Sequence, residues 1–164
     1  MRSYAEVPEM SAREVTAKLL RAIESDKYDF ILVNYANPDM VGHTGNFQAA
    51  VKTLEVTDEC LSRLIKTVLN RGGCLLITAD HGNIEEMINL ETGKIDTQHS
   101  TNPVPCWFVT PENKFKKPRQ AGPKKMEGMI ADIAPTILEL FGWRKPGAMV
   151  GDSLLAKFRL QGIL

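Results

Sequence analysis

The chain has 164 residues, 43% of them hydrophobic, which is enough for one compact domain with a core of its own. Its 20 basic and 20 acidic residues cancel, excluding a global field that would draw it to nucleic acid or to an anionic membrane. No run of about 18 apolar residues occurs, so no membrane-spanning helix is expected, and the start MRSYAEVPEMSAREV has no apolar signal core, which points to the cytoplasm.

Taken in chain order, Ser11 and Glu14 stand at capping-box spacing before Val15, Leu19, Ala22 and Ile23, and this predicts a helix. The nearly continuous apolar run YDFILVNYA, 28–36, predicts a strand covered on both faces. A polar loop, NPDMVGHTGN, follows at 37–46. From Phe47 to about Asn70 the positions Phe47, Ala50, Val51, Leu54, Leu61, Leu64, Ile65 and Val68 keep helical periodicity, and Arg71-Gly72-Gly73 ends the helix. CLLITA, 74–79, reads as a second buried strand, so that strand, loop, helix and strand make a right-handed parallel βαβ unit. VPCWFVT, 104–110, reads as a third strand. DIAPTILELFG, 132–142, reads as a helix with Asp132 as N-cap, Pro135 in the first turn and Gly142 just past the end.

The sum is an α/β fold with a mainly parallel sheet and helices on both faces. Cys60, Cys74 and Cys106 are odd in number, widely spaced and set among apolar neighbours, so they read as small core residues in a reducing compartment. KFKKPRQAGPKK, 114–125, reads as a solvated basic loop, Asp58 as the watered edge of the long helix, and Trp107 and Trp143 as packing residues.

In open α/β sheets ligands collect outside the carboxyl ends of the strands. All three histidines of the chain fall in such places. Asp39 and His43 lie four residues apart in the loop after the first strand, and one helical turn there would put both on one face. Asp80 and His81 close the second strand, and His99 lies on the loop into the third. Mixed imidazole and carboxylate donors suit Mn²⁺, Zn²⁺ or Fe rather than Ca²⁺. Five such donors exceed one tetrahedral site and point to two ions, which at about 3.5–4 Å apart can clamp both oxygens of a phosphoryl transfer.

NPDMVGHTGN, TADHGN and QHSTNPVP resemble the metal-binding motifs of the cofactor-independent (2,3-bisphosphoglycerate-independent) phosphoglycerate mutases, members of the alkaline phosphatase superfamily. The resemblance runs from about Pro8 to Leu155, including PEMSA, ADIAPTILELFG and MVGDSLL. It implies an alkaline-phosphatase-like sheet and two Mn²⁺ or related divalent ions in the complete enzyme. Asp39, His43 and His99 would hold the first ion, the one expected in this chain, and Asp80 and His81 would help hold the second. It also implies the interconversion of 3-phosphoglycerate and 2-phosphoglycerate through a phosphoserine, a step of glycolysis and gluconeogenesis.

Against the family pattern, residues 1–164 correspond to the C-terminal segment of the metal-binding phosphatase domain. The strand with the nucleophilic serine, the inserted transferase domain and a substrate-binding lysine are absent. No catalytic residue is therefore assigned here, and Ser100, beside His99, reads as a loop hydrogen-bonding group. The chain alone is expected to be inactive, to bind neither nucleic acid nor membrane, and to self-associate through an exposed sheet edge. The alternatives are another phosphomutase or phosphatase of the superfamily, or a non-catalytic metal-binding fragment.

Overall fold

A computed structural model of the chain describes residues 3–113 and 127–160. The basic stretch 114–125 lies outside the described residues. The chain divides into two units: Met1–Gly73 with His81–Val104, and Cys74–Asp80 with Pro105–Leu164. Among the described residues no helix is long and apolar enough to cross a membrane.

The first unit is built on two helices, α1 (Ala12–Glu24) and α3 (Phe47–Asn70), with the single-turn α2 (Asn37–Gly42) between them in sequence. Ser11 stands at the N-cap of α1, but its side chain caps nothing, so the expected box with Glu14 does not form. The cap that does form is on α3, where Asn46 Oδ1 accepts from the Ala49 N–H at 3.0 Å. Helix α3 ends where predicted, at Arg71, with Gly72 in the left-handed region at φ 72°.

The buried face of α3 differs from the predicted stripe. Ala49, Ala50, Thr53, Val56, Cys60 and Leu64 are buried, whereas Phe47 is 65% exposed and Val51 and Leu54 are also on the surface. Ala50 and Leu64 of the predicted stripe are buried, and the small residues Ala49, Thr53 and Cys60 join them where neighbouring backbone comes close. Ala12 of α1 packs directly on Val56 and Cys60, and Tyr35 covers that cluster. The polar atoms this buries are satisfied. Thr16 donates to the Ala12 carbonyl and pairs with the Tyr35 hydroxyl, and Thr53 donates to the Pro8 carbonyl while accepting from Asn37 Nδ2. A second cluster joins Val41 of α2 to Ala49, Ala50 and Met87. Asp58 is exposed, as expected.

Residues 28–36 form no β-ladder, so the predicted first strand and its parallel βαβ unit are absent from the described residues. The period of two survives: Ile31, Val33 and Tyr35 are half-buried, and Phe30, Leu32 and Asn34 are exposed. A ladder needs backbone partners alongside, and the two strands among the described residues pair with each other.

Those strands, β1 (Leu75–Thr78) and β2 (Cys106–Val109), belong to the second unit. They run antiparallel, Leu75 opposite Val109 and Thr78 opposite Cys106, a pairing for which the sequence pattern specified no sense. The unit also holds α4 (Ile133–Leu140) and α5 (Leu155–Leu160), the second of which the apolar pattern did not announce. Phe108, Leu154, Leu155 and Phe158 form its core with Leu76 and Ile133, and the rings of Phe108 and Phe158 stack at 5.3 Å.

Asp132 sits at the N-cap of α4 without capping it. Its carboxylate instead accepts from the N–H groups of Met129 and Asp152, both at 2.8 Å, and so ties the entry of α4 to the segment leading into α5. Gly142, at φ 68°, ends α4 as predicted. Trp107 and Trp143 are 52% and 62% exposed, so neither is a core residue, and Trp143 stacks on Phe141. Of the three cysteines only Cys60 is buried; Cys74 and Cys106 lie at the ends of the short sheet, where too few layers exist to cover them. The architecture is an incomplete α/β arrangement of helices and a small sheet.

Candidate metal centre

Sequence dictates the geometry first at α2. Pro38 is favourable in the first turn, its missing N–H costing nothing there. The turn closes with the His43 N–H donating to the Asp39 carbonyl at 3.0 Å. The single helical turn thus exists, and it puts the two side chains on one face: His43 Nε2 lies 3.2 Å from Asp39 Oδ1.

His99 arrives from the other end of the unit. An antiparallel bridge pairs Gly82 with Ser100, and the Ser100 N–H donates to the Gly82 carbonyl at 2.8 Å. This sets His99 Nε2 at 3.1 Å from His43 Nε2 and 3.4 Å from Asp39 Oδ1. Three donor atoms from positions 39, 43 and 99 therefore converge, and they are the one group of this kind among the described residues. All three side chains remain partly open to solvent.

Does this set suit a metal ion? Donors bound to one ion at about 2.1 Å, with angles between 90° and 110°, stand roughly 3.0–3.4 Å from one another. The three observed separations fall in that interval. The tautomer agrees as well. His43 Nδ1 lies 2.6 Å from the Thr97 carbonyl, an atom that can only accept, so Nδ1 carries a proton, and in the neutral ring Nε2 has its lone pair toward the cluster. A carbonyl behind a histidine is the usual way of orienting such a ligand and raising its basicity. Asp39 supplies the anionic oxygen. The residues fit a divalent cation with nitrogen and oxygen preference.

Asp80 and His81, the other two predicted ligands, join no group of three among the described residues. The division between the units falls between them. His81 stacks its ring on His99 with centroids 3.7 Å apart, which places it beside the cluster, and Asp80 is exposed.

Sequence reasoning missed what surrounds the donors. Asn83 Nδ2 donates to Asp39 Oδ1 at 2.9 Å. Glu85 accepts from the Ser100 hydroxyl, from Asn102 Nδ2 at 3.2 Å and from the Asn83 N–H at 2.8 Å. Burial pushes the Glu85 carboxyl up, but these hydrogen bonds, led by that of Ser100, together hold it below the usual carboxylate range. Asn102 Nδ2 also donates to Glu86 at 2.6 Å. The available signal was position alone: Asn83 and Glu85 follow His81 by two and four residues.

A family model described as the metalloenzyme superfamily matches residues 2–145. The 2,3-bisphosphoglycerate-independent phosphoglycerate mutase of Clostridium kluyveri is 48% identical over 153 residues, covering 93% of this chain and 28% of that protein. Phosphoglycerate mutase 2 of the same description from Methanosarcina barkeri is 50% identical over 156 residues, covering 94% and 28%. The crystal structure of Leishmania mexicana phosphoglycerate mutase at low cobalt concentration superposes with a TM-score of 0.76 at 28% identity, over 92% of this chain and 29% of that one. The chain thus spans little more than a quarter of the length of the relatives it matches. With the match extending over residues 2–145 and taking in all five predicted donors, the chain belongs to the metalloenzyme superfamily.

Proposed function

We propose that this chain is the metal-binding part of a 2,3-bisphosphoglycerate-independent phosphoglycerate mutase, and that Asp39, His43 and His99 hold one divalent cation, Mn²⁺ by preference. The observation that carries the reading is the convergence of Asp39 Oδ1 with the two Nε2 atoms in a chain about half identical to proteins of that name. When bound, the cation supplies positive charge for phosphoryl oxygens. The chain's own residues do the holding. Thr97 fixes the His43 tautomer, Asn83 donates to Asp39, and the Gly82–Ser100 bridge sets His99.

Asp80 and His81 are proposed to contribute to a second ion completed from outside these residues. The nucleophilic serine that carries the phosphoryl group between 3-phosphoglycerate and 2-phosphoglycerate is likewise proposed to come from elsewhere. Ser100 is assigned no such role: its hydroxyl donates to Glu85 within the loop that carries His99, and it is read as a hydrogen-bonding group of that loop. The substrate is then a phosphoglycerate, the compartment the cytoplasm, and the isolated chain inactive. The test mixes the chain with a separately expressed N-terminal portion of such a mutase, adds Mn²⁺ and follows 3-phosphoglycerate conversion. Activity in the mixture alone supports the reading; turnover by this chain alone, lost in Ser100→Ala, overturns it.

A further inference from the structure

Asn83 is only 5% exposed and carries a polar side chain in the turn after Asp80–His81. Its Nδ2 donates to Asp39 Oδ1 and lies 3.5 Å from His43 Nε2. One amide thereby meets two of the three converging donors, at the same atoms that face the third. A carboxylate only accepts, so the NH₂ side of the amide must be the side turned to Asp39. The backbone of Asn83 is fixed independently, its N–H donating to Glu85 Oε2 at 2.8 Å.

Gly42 makes room for this amide. It lies within α2, and its φ is not in the left-handed region, so no backbone strain asks for glycine. A helical glycine is unfavourable by about 1 kcal/mol relative to alanine. What excludes a side chain is Asn83: a Cβ at Gly42 would collide with Asn83 Oδ1. The helix position carrying His43 at its end is thus shaped for the amide that grips Asp39.

We propose that Asn83 is a positioning residue of the metal centre, pinning Asp39 Oδ1 beside the Nε2 atoms of His43 and His99 so that the donors are gathered before a cation arrives. The carboxylate oxygen has lone pairs for the amide and a cation together, so the contact persists in both states. Without it the Asp39 side chain is free to rotate, and the ordering is then charged against cation affinity. The proposal rests on the metal reading above, and the experiment separates the two.

Mn²⁺ is titrated into the 164-residue chain by calorimetry, and the bound ion is followed by electron paramagnetic resonance, for wild type, His43→Ala, Asn83→Leu and Gly42→Ala. Asn83→Leu keeps the volume and removes the donor; Gly42→Ala leaves every donor in place and displaces the amide. Both are expected to weaken Mn²⁺ binding by about 10–100-fold and to alter the resonance of the bound ion, while the metal-free circular dichroism stays that of wild type. His43→Ala should abolish measurable binding. Wild-type affinity in both Asn83→Leu and Gly42→Ala, with binding lost in His43→Ala, overturns the role of Asn83 and leaves the metal reading standing. Absence of Mn²⁺ binding by wild type overturns both. Should Asn83→Leu lose its fold, Gly42→Ala decides by the same criterion.

Discussion

Replacing Asp132, a residue only 6% exposed, by alanine strips two acceptors at once, one from the Met129 N–H and one from the Asp152 N–H. Hydrogen bonds to a charged group contribute roughly 1.5–3 kcal/mol each, and the two share one carboxylate, so a loss of about 3 kcal/mol is expected. Asp132→Asn keeps the shape and one acceptor but turns an NH₂ group against the other N–H, for a loss of about 2 kcal/mol. Both tryptophans of the chain, Trp107 and Trp143, lie in the unit that Asp132 organises, so their fluorescence reports its unfolding selectively. With a urea slope near about 1 kcal/mol/M for so small a unit, Asp132→Asn should lower the midpoint by about 2 M, or remove the transition altogether.

The same contact has a pH signature. The Met129 N–H, then that of Asp152, holds the Asp132 carboxyl below its usual range; burial opposes them weakly, and Lys157 and Lys145 add to the lowering. A folded-state pKa depressed below the unfolded value of about 3.9 gives stability that is complete above that value and lost as the pH falls through the folded one. Wild type should therefore lose this contribution in acid, and Asp132→Asn should show none to lose. An Asp132→Asn protein with the wild-type midpoint and the wild-type acid response would refute the reasoning.

Three further outcomes are expected. Thr53→Val leaves the Pro8 carbonyl without its donor and takes one of two acceptors from Asn37 Nδ2, which keeps Thr57 Oγ1 at 3.2 Å, and should destabilise the first unit by about 1–2 kcal/mol in thermal melts; a neutral effect would show that water replaces the hydroxyl. Glu85→Gln removes the charge that accepts from Ser100 and Asn102, loosening the loop that carries His99, and should weaken Mn²⁺ binding several-fold by titration, whereas unchanged affinity would mean that the Gly82–Ser100 bridge suffices. Light scattering should show the isolated chain associating, because Phe30, Leu32, Phe47, Val51 and Leu54 all stand exposed; a monodisperse monomer at high concentration would contradict this.

The long helix was legible, since the apolar repeat and the Arg71-Gly72-Gly73 turn both act locally. Its buried face was legible in part: Ala50 and Leu64 of the apolar repeat are buried, but Phe47, Val51 and Leu54 are exposed, and Ala49, Thr53, Val56 and Cys60, where α1 and Pro8 come close, are buried instead. The 28–36 segment carries the composition and period of a strand, but pairing is a property of neighbours and cannot be read from the segment itself. At the site, the Asp39–His43 turn followed from spacing and proline placement. The approach of His99 was an inference from motif resemblance, since nothing local announces a bridge between Gly82 and Ser100. The contact of Asn83 with Asp39 and that of Glu85 with Ser100 stayed hidden for the same reason: these partners lie 44 and 15 residues apart.

The donors at positions 39 and 99 are also the two ends of a loop of sixty residues that contains α3 and the whole of the TADHGN motif. An ion held between them acts as a removable cross-link. On the proposed reading it would bind the folded unit and have no comparable site in the unfolded chain, so its stabilisation would grow with concentration and reach about 2.7 kcal/mol at a hundredfold excess over Kd. Under the proposed reading, the resistance of this unit to unfolding and proteolysis is a gauge of free divalent cation. Chelation should shorten the lifetime of the chain well before it melts its helices, and the supply of one ion would set how much of the polypeptide a cell keeps.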